Sequence, residues 1–241
     1  MPADEKPIAS VWTRPRRPQR EQLTREQIVA AAIELLDLDG TEALSMRKLG
    51  TRLNAAATSL YRHVANKDEL IELVVDDIYG ELEVPAVADR AEWRAVVTRS
   101  AADLRAMTLR HPWIAPELSQ VGLVHFGPNA MRMSSGLLAQ FEAAGFTADE
   151  KDRAVGTLMA YVIGIATSEA AYLSQIARSG KTEQEWVAGL RSAFDQASQE
   201  HPQLRETSSA RQDVHPQQIR DDDFAYGLDR VLDGLAARLD A

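Results

Sequence analysis

The sequence predicts an all-α protein: an N-terminal three-helix head built around a helix-turn-helix, followed by an α-helical bundle. Three observations carry this prediction. Apolar residues recur at the spacing of a helix face through most of the chain. Thr-x-x-Gln and Thr-x-x-Glu boxes, which satisfy free backbone N–H groups at helix starts, precede several of those runs. No stretch alternates apolar and polar residues as a half-buried strand does.

Residues 1–22 read as a flexible basic arm. Arg14, Arg16, Arg17 and Arg20 lie among Pro15 and Pro18, whose fixed φ and missing N–H disfavour a helix. Such an arm either screens phosphates or enters a minor groove, or is an ordinary terminus. The head spans residues 23–84. Thr24 with Gln27 opens its first helix, Ile28, Ala31, Ala32, Leu35 and Leu36 form the inner stripe, and Gly40 falls just past the end. Between Ser45 and Val64 two short helices surround a tight turn. Met46, Leu49 and Leu53 are the buried stripe of the first, and Asn54 tolerates the left-handed backbone that a sharp turn needs. The second, Thr58 to Val64, buries Leu60 and Val64 and turns Thr58, Ser59, Tyr61, Arg62 and His63 outward. Hydroxyls, a phenol, a guanidinium and an imidazole suit phosphates and base edges. Asn66 then caps a helix from Lys67 to about Leu82 that joins the head to the rest.

At Ser59-Leu60-Tyr61-Arg62-His63-Val64-Ala65-Asn66-Lys67-Asp68-Glu69-Leu70 the chain resembles the tetracycline repressor (TetR) family of dimeric transcriptional regulators. The run from Leu44 to Leu49 and the Ile28 to Gly40 pattern carry the same resemblance, strongest over residues 20 to 84. It implies that Arg47, Ala57, Thr58 and Ser59 lie where the family reads bases. By the same resemblance Tyr61, His63 and Lys67 lie where it grips phosphate, with Arg62 able to do either. Ala57 offers only a methyl group, so hydrogen-bonded readout there is sparse.

Residues 85–241 read as a helical effector-binding and dimerisation domain. Trp93, Val96, Val97, Ala101 and Leu104 share one face of a helix from Asp89 to about Arg110, which His111-Pro112 closes. A Pro- and Gly-interrupted segment, Trp113 to Pro128, leads to a helix from about Asn129 to Ala144 with Gly145 as its stop. Thr147 with Glu150 caps a long helix to about Ile176, and Thr182 with Glu185 caps another bearing Trp186, Leu190 and Phe194. Ser198 to Gln218 reads as a polar loop, and a last helix, about Asp222 to Leu239, carries Phe224, Leu228, Val231, Leu235 and Leu239.

Gly156, Ala160 and Gly164 make a smooth strip four residues apart, suited either to close packing within the chain or to a four-helix interface with a second copy. The family layout favours the homodimer. Trp113, His125, Phe126, Met131, Met133, Leu137, Tyr161 and Ile165 mix large apolar groups with polar tips, as pockets for apolar or aromatic effectors do and as ordinary cores also do. The stretch around His125 is similar to the one where the tetracycline repressor holds a drug-bound magnesium ion. Ser168 falls where the family often has a carboxylate, so no metal is expected.

Composition narrows the remaining classes. The 241 residues contain no cysteine, which rules out disulfides and thiolate zinc sites. The longest apolar run, Ala154 to Ala166, is short for a membrane span, and no signal-peptide segment is recognisable, so a cytoplasmic protein is expected. The net charge of -9 is unevenly divided: residues 1–70 hold 11 Lys and Arg against 10 Asp and Glu, and residues 71–241 hold 16 against 26. Gly180-Lys181-Thr182 lacks the leading glycine of a phosphate loop, and no hydrolase, dinucleotide or metalloprotease motif is present. The expectation is therefore no enzyme and no cofactor, but a regulator binding palindromic double-stranded DNA as a homodimer under small-molecule control. The alternative is a helical protein-protein interaction module without an effector.

Overall fold

The computed structural model describes residues 23–84, 89–118, 126–204 and 214–239. The basic arm and His125 lie outside the described residues. All the regular elements described are helical.

Helix α1 (Arg25–Asp39) begins with the reciprocal cap expected of it: Gln27 N donates to Thr24 Oγ1 at 3.2 Å, and Thr24 N donates to Gln27 Oε1 at 3.0 Å. Its stripe Ile28, Ala31, Ala32, Leu35 and Leu36 is buried, and Gly40, at φ 75°, ends it. Ser45 caps α2 (Met46–Arg52). Asn54 adopts φ 48°, the left-handed turn that separates α2 from α3 (Ala57–Leu60). The turn also needs Gly50, because a Cβ there would stand 2.8 Å from the Ala55 carbonyl oxygen.

The second helix of the hairpin is shorter than expected. Regular helix stops at Leu60, and Tyr61 to His63 form a tight turn whose N–H groups still find Ala57, Ser59 and Leu60 carbonyls. The chain must straighten by Asn66, at φ -157°, to restart as α4 (Lys67–Tyr79), so the helix cannot continue to Val64. Val64 is nonetheless buried beside Leu60.

The bundle comprises α5 (Trp93–Arg110), α6 (Ala115–Leu118), α7 (Pro128–Ala144), α8 (Ala148–Ser179), α9 (Glu183–Ala197) and α10 (Pro216–Ala236). Helix α8 is central, packing on α5, α7 and α10. Length and composition alone would let α8 cross a bilayer, but here Ala154, Leu158, Val162, Ala166 and Ala170 turn one side of it into the bundle core. Trp93, Phe141 and Phe146 interlock at centroid separations of 5.3 to 5.9 Å where α5 meets α7, an edge-rich arrangement favoured by ring quadrupoles.

The last helix starts at Pro216, not Asp222. Proline at the first helical position gives up an N–H that has no helical partner anyway, and His215 accepts from Gln217 N as the cap. Its buried stripe is Phe224, Leu228 and Leu232; Val231 and Leu235 are only half-buried. No residue of α9 is buried, and Leu190 and Phe194 stand exposed.

Polar joints fasten α4 to the bundle. Asp76 Oδ1 accepts from the N–H groups of Asn129 (2.9 Å) and Ala130 (3.0 Å), which tops the N-terminus of α7 with a carboxylate. Just past α4, Glu81 accepts from Arg110 at 2.7 Å and lies 3.2 Å from His111 Nε2. His111 Nδ1 lies 2.7 Å from Asp37 on α1, and Trp113 Nε1 donates to the same oxygen at 2.7 Å.

Candidate nucleic-acid interface and the bundle cavity

The core under α2 and α3 sets the direction of the polar face. Leu49 and Leu60 are fully buried and Val64 nearly so, which leaves Arg47, Thr58, Tyr61, Arg62 and Lys67 exposed on the opposite side. Ser59 and His63 are half-exposed, and Ala57 packs partly against the core, so its methyl group is its only offering. Arg25 Nε donates to the His63 carbonyl at 3.3 Å, and Lys67 Nζ donates to the Thr41 carbonyl at 3.4 Å, pinning the ends of this surface. Two neighbouring cations are engaged elsewhere: Arg52 pairs with Glu34, and Lys48 lies 3.8 Å from Asp39. Among the described residues no ion pair claims Arg47 or Arg62, so both guanidiniums remain available to phosphates or base edges.

Of the eight residues expected to line an effector pocket, the seven described do not come together. Trp113 is buried at the joint with the head, its N–H given to Asp37. Met133 and Leu137 are buried in the core, Met131 packs partly on it, and Phe126 stands 57% exposed before α7. Tyr161 donates to the Phe224 carbonyl at 2.8 Å and stacks on the Phe224 ring, an approach permitted because Gly227 has no Cβ. His125 lies outside the described residues. The physical reason is that bulky apolar residues at helical spacing fill space as readily as they border it.

A cavity of about 390 Å³ does lie between α8, α9 and α10, and of the seven described only Ile165 borders it. Its walls include Tyr172, Val187 and Ile219, with Glu169, Glu183, Arg191, Arg220 and Asp223 as the polar part. Behind it runs a ladder of ion pairs. Arg105 grips Glu169 with two parallel bonds of 2.6 and 2.8 Å and reaches Asp221 at 2.8 Å. Arg220 donates to Glu169 at 2.9 Å and to Glu183, and sits over the Tyr172 ring. The Glu169 bonds hold the Arg105 guanidinium above its ordinary pKa, while burial and the Glu183 carboxylate push the Tyr172 phenol up. The Glu169 side chain is 6% exposed, so its charge is buried against two guanidiniums, and only the loss of both would leave it uncompensated.

Sequence reading missed this ladder. Glu169 is a carboxylate beside the apolar run of α8, a visible oddity, but its partners lie 64 and 51 residues away, and Arg220 fell between the loop read to Gln218 and the helix read from about Asp222.

Comparison with known proteins agrees with this geometry. Residues 28–74 match the family model for bacterial regulatory proteins of the tetR family, and residues 85–239 match the tetracyclin repressor-like C-terminal domain. An HTH-type transcriptional regulator of Saccharopolyspora erythraea is 42% identical over 168 residues, covering 69% of this chain and 70% of that protein. The HTH-type transcriptional repressor DrrR1 of Streptomyces coeruleorubidus is 32% identical over 230 residues, 93% of this chain and 83% of that protein. The Streptomyces coelicolor TetR family protein ActR in complex with actinorhodin superposes with a TM-score of 0.74 at 27% identity, covering 90% of this chain and 97% of that one. A head whose buried stripe turns guanidiniums and hydroxyls outward, joined to a helical bundle and matched along both parts, places the chain in the tetR family of bacterial regulatory proteins: it is a DNA-binding transcriptional regulator.

Proposed function

We propose that the chain acts as a homodimeric repressor that holds a palindromic operator and releases it when a small molecule occupies the bundle. The observation that carries this is the outward face of α2 and α3, where Arg47, Thr58, Tyr61 and Arg62 are exposed over a core of Leu49, Leu60 and Val64. Arg47, Ala57, Thr58 and Ser59 read base edges in a major groove; Tyr61, His63, Lys67 and Arg62 hold the backbone that positions them. Two supports favour the dimer. The strip Gly156, Ala160 and Gly164 is exposed in the single chain, and Cβ atoms built at both glycines meet nothing within 4 Å. Helix α9 likewise leaves Leu190 and Phe194 uncovered, an apolar face a second copy would bury. One two-fold dimer carries two heads, which matches two half-sites about one helical turn apart.

The test is a titration of duplex DNA from the region upstream of its own coding sequence at several salt concentrations. Expected is a complex of two chains per duplex whose association constant falls steeply with salt, by about 0.9 log units per log unit for each phosphate contact. Absence of any shift, or a one-chain complex, refutes the proposal.

A further inference from the structure

Resting on that reading, we propose that the cavity between α8, α9 and α10 is the effector site and that it takes a ring-bearing, mostly apolar organic cation, a protonated amine. Its volume of about 390 Å³ suits a compact organic molecule, and Ile165, Val187 and Ile219 give it apolar walls. The charge of the occupant follows from the ladder. Read from one end to the other it runs Asp221, Arg105, Glu169, Arg220, Glu183, so three carboxylates face two guanidiniums and both ends are acidic. The end that borders the cavity is Glu183, whose side chain is 18% exposed.

Of the ladder, Glu169, Glu183 and Arg220 line the cavity itself, two carboxylates against one guanidinium. An entering ammonium cancels that excess and finds a half-buried carboxylate with which to form a charge-assisted hydrogen bond. An entering carboxylate adds to the excess, and both Arg105 and Arg220 already serve two acids each. Arg220 lies 5.9 Å from the Tyr172 ring, a face that accepts cations and flat rings alike. A cation at Glu183 competes with Arg220, whose other partner, Glu169, is held by Arg105 on α5. Helix α5 is the helix that ends in His111, beside Asp37 and Glu81 of the head. Occupancy is thus felt at the joint.

The experiment titrates the full-length protein by calorimetry with three probes of one shape: naphthylethylamine hydrochloride, naphthylethanol and naphthylacetate. The amine is expected to bind at least about tenfold tighter than the alcohol, with the acetate weakest, and to weaken operator binding at least about fivefold. Glu183→Gln should erase the preference for the amine. Val187→Trp should fill the cavity and abolish amine binding while circular dichroism stays unchanged. Acetate binding as tight as amine binding, amine binding that survives Val187→Trp, or amine binding without effect on the operator each overturns the proposal. A wild-type protein that shifts operator DNA but ignores all three probes sinks the cavity proposal alone. Amine binding by a protein that shifts no DNA sinks the repressor reading instead and leaves the chemistry of the cavity standing.

Discussion

Arg47 and Tyr61 point away from a core that Leu49 and Leu60 fill, and truncating them should produce different defects. Tyr61→Ala and Lys67→Ala are expected to weaken binding to all duplexes alike, because a phosphate contact carries position but no sequence. Arg47→Ala should in addition blur preference at one base pair in each half-site, since a bidentate arginine-guanine pair discriminates by about 1–3 kcal/mol. Titrations on matched and scrambled duplexes at one salt concentration check this, and unchanged affinity in all three variants would remove the hairpin from the interface. These positions were legible in the sequence because a buried stripe fixes what faces out. The lining of the cavity was not, for Met133 and Leu137 in the core and Ile165 at the cavity look alike in a sequence: each is an apolar residue at helical spacing. Only the fold says on which of them another side chain rests.

Among the elements, α8 carries the sharpest expectation. Because a Cβ at Gly164 meets nothing in the single chain, Gly164→Leu should leave the fold intact and act only on what lies opposite. Light scattering is expected to show a folded monomer, and operator affinity should collapse with it, since two linked heads supply each other's effective concentration. A stable dimer in the variant places the interface elsewhere. Helix starts were read well wherever Thr and a Glu or Gln three residues on share the orphan N–H groups, as at Thr24, Thr147 and Thr182. The start of α10 escaped because its cap is a histidine and its first turns are polar, made helical by partners such as Glu169 and Glu183 that lie far off in the chain. The end of α3 escaped because the restart at Asn66, not propensity, cuts it short.

For the molecule as a whole, the joint between head and bundle is polar where the sequence suggested a pocket. Trp113→Phe keeps the ring and deletes the N–H that reaches Asp37. A loss of about 1 kcal/mol is expected, lowering the melting temperature by roughly 2–4 °C, while effector-free operator affinity stays within about twofold. A large loss of operator affinity with no change in melting would mean that the residue serves DNA contact instead. The geometry of that joint has a mechanical meaning. Helix α4 has 13 residues, about 20 Å of rigid rod, held by Asp76 and the neighbouring Glu81 at one end and buried in the head at the other. A swing of about 6° about the fastened end carries the far end by ~2 Å, so the two heads of the proposed dimer would part by ~4 Å, more than the ~3.4 Å rise of one base pair. In the proposed dimer α4 is a gear: a turn of a few degrees at the joint becomes, at the duplex, an error of a whole base step.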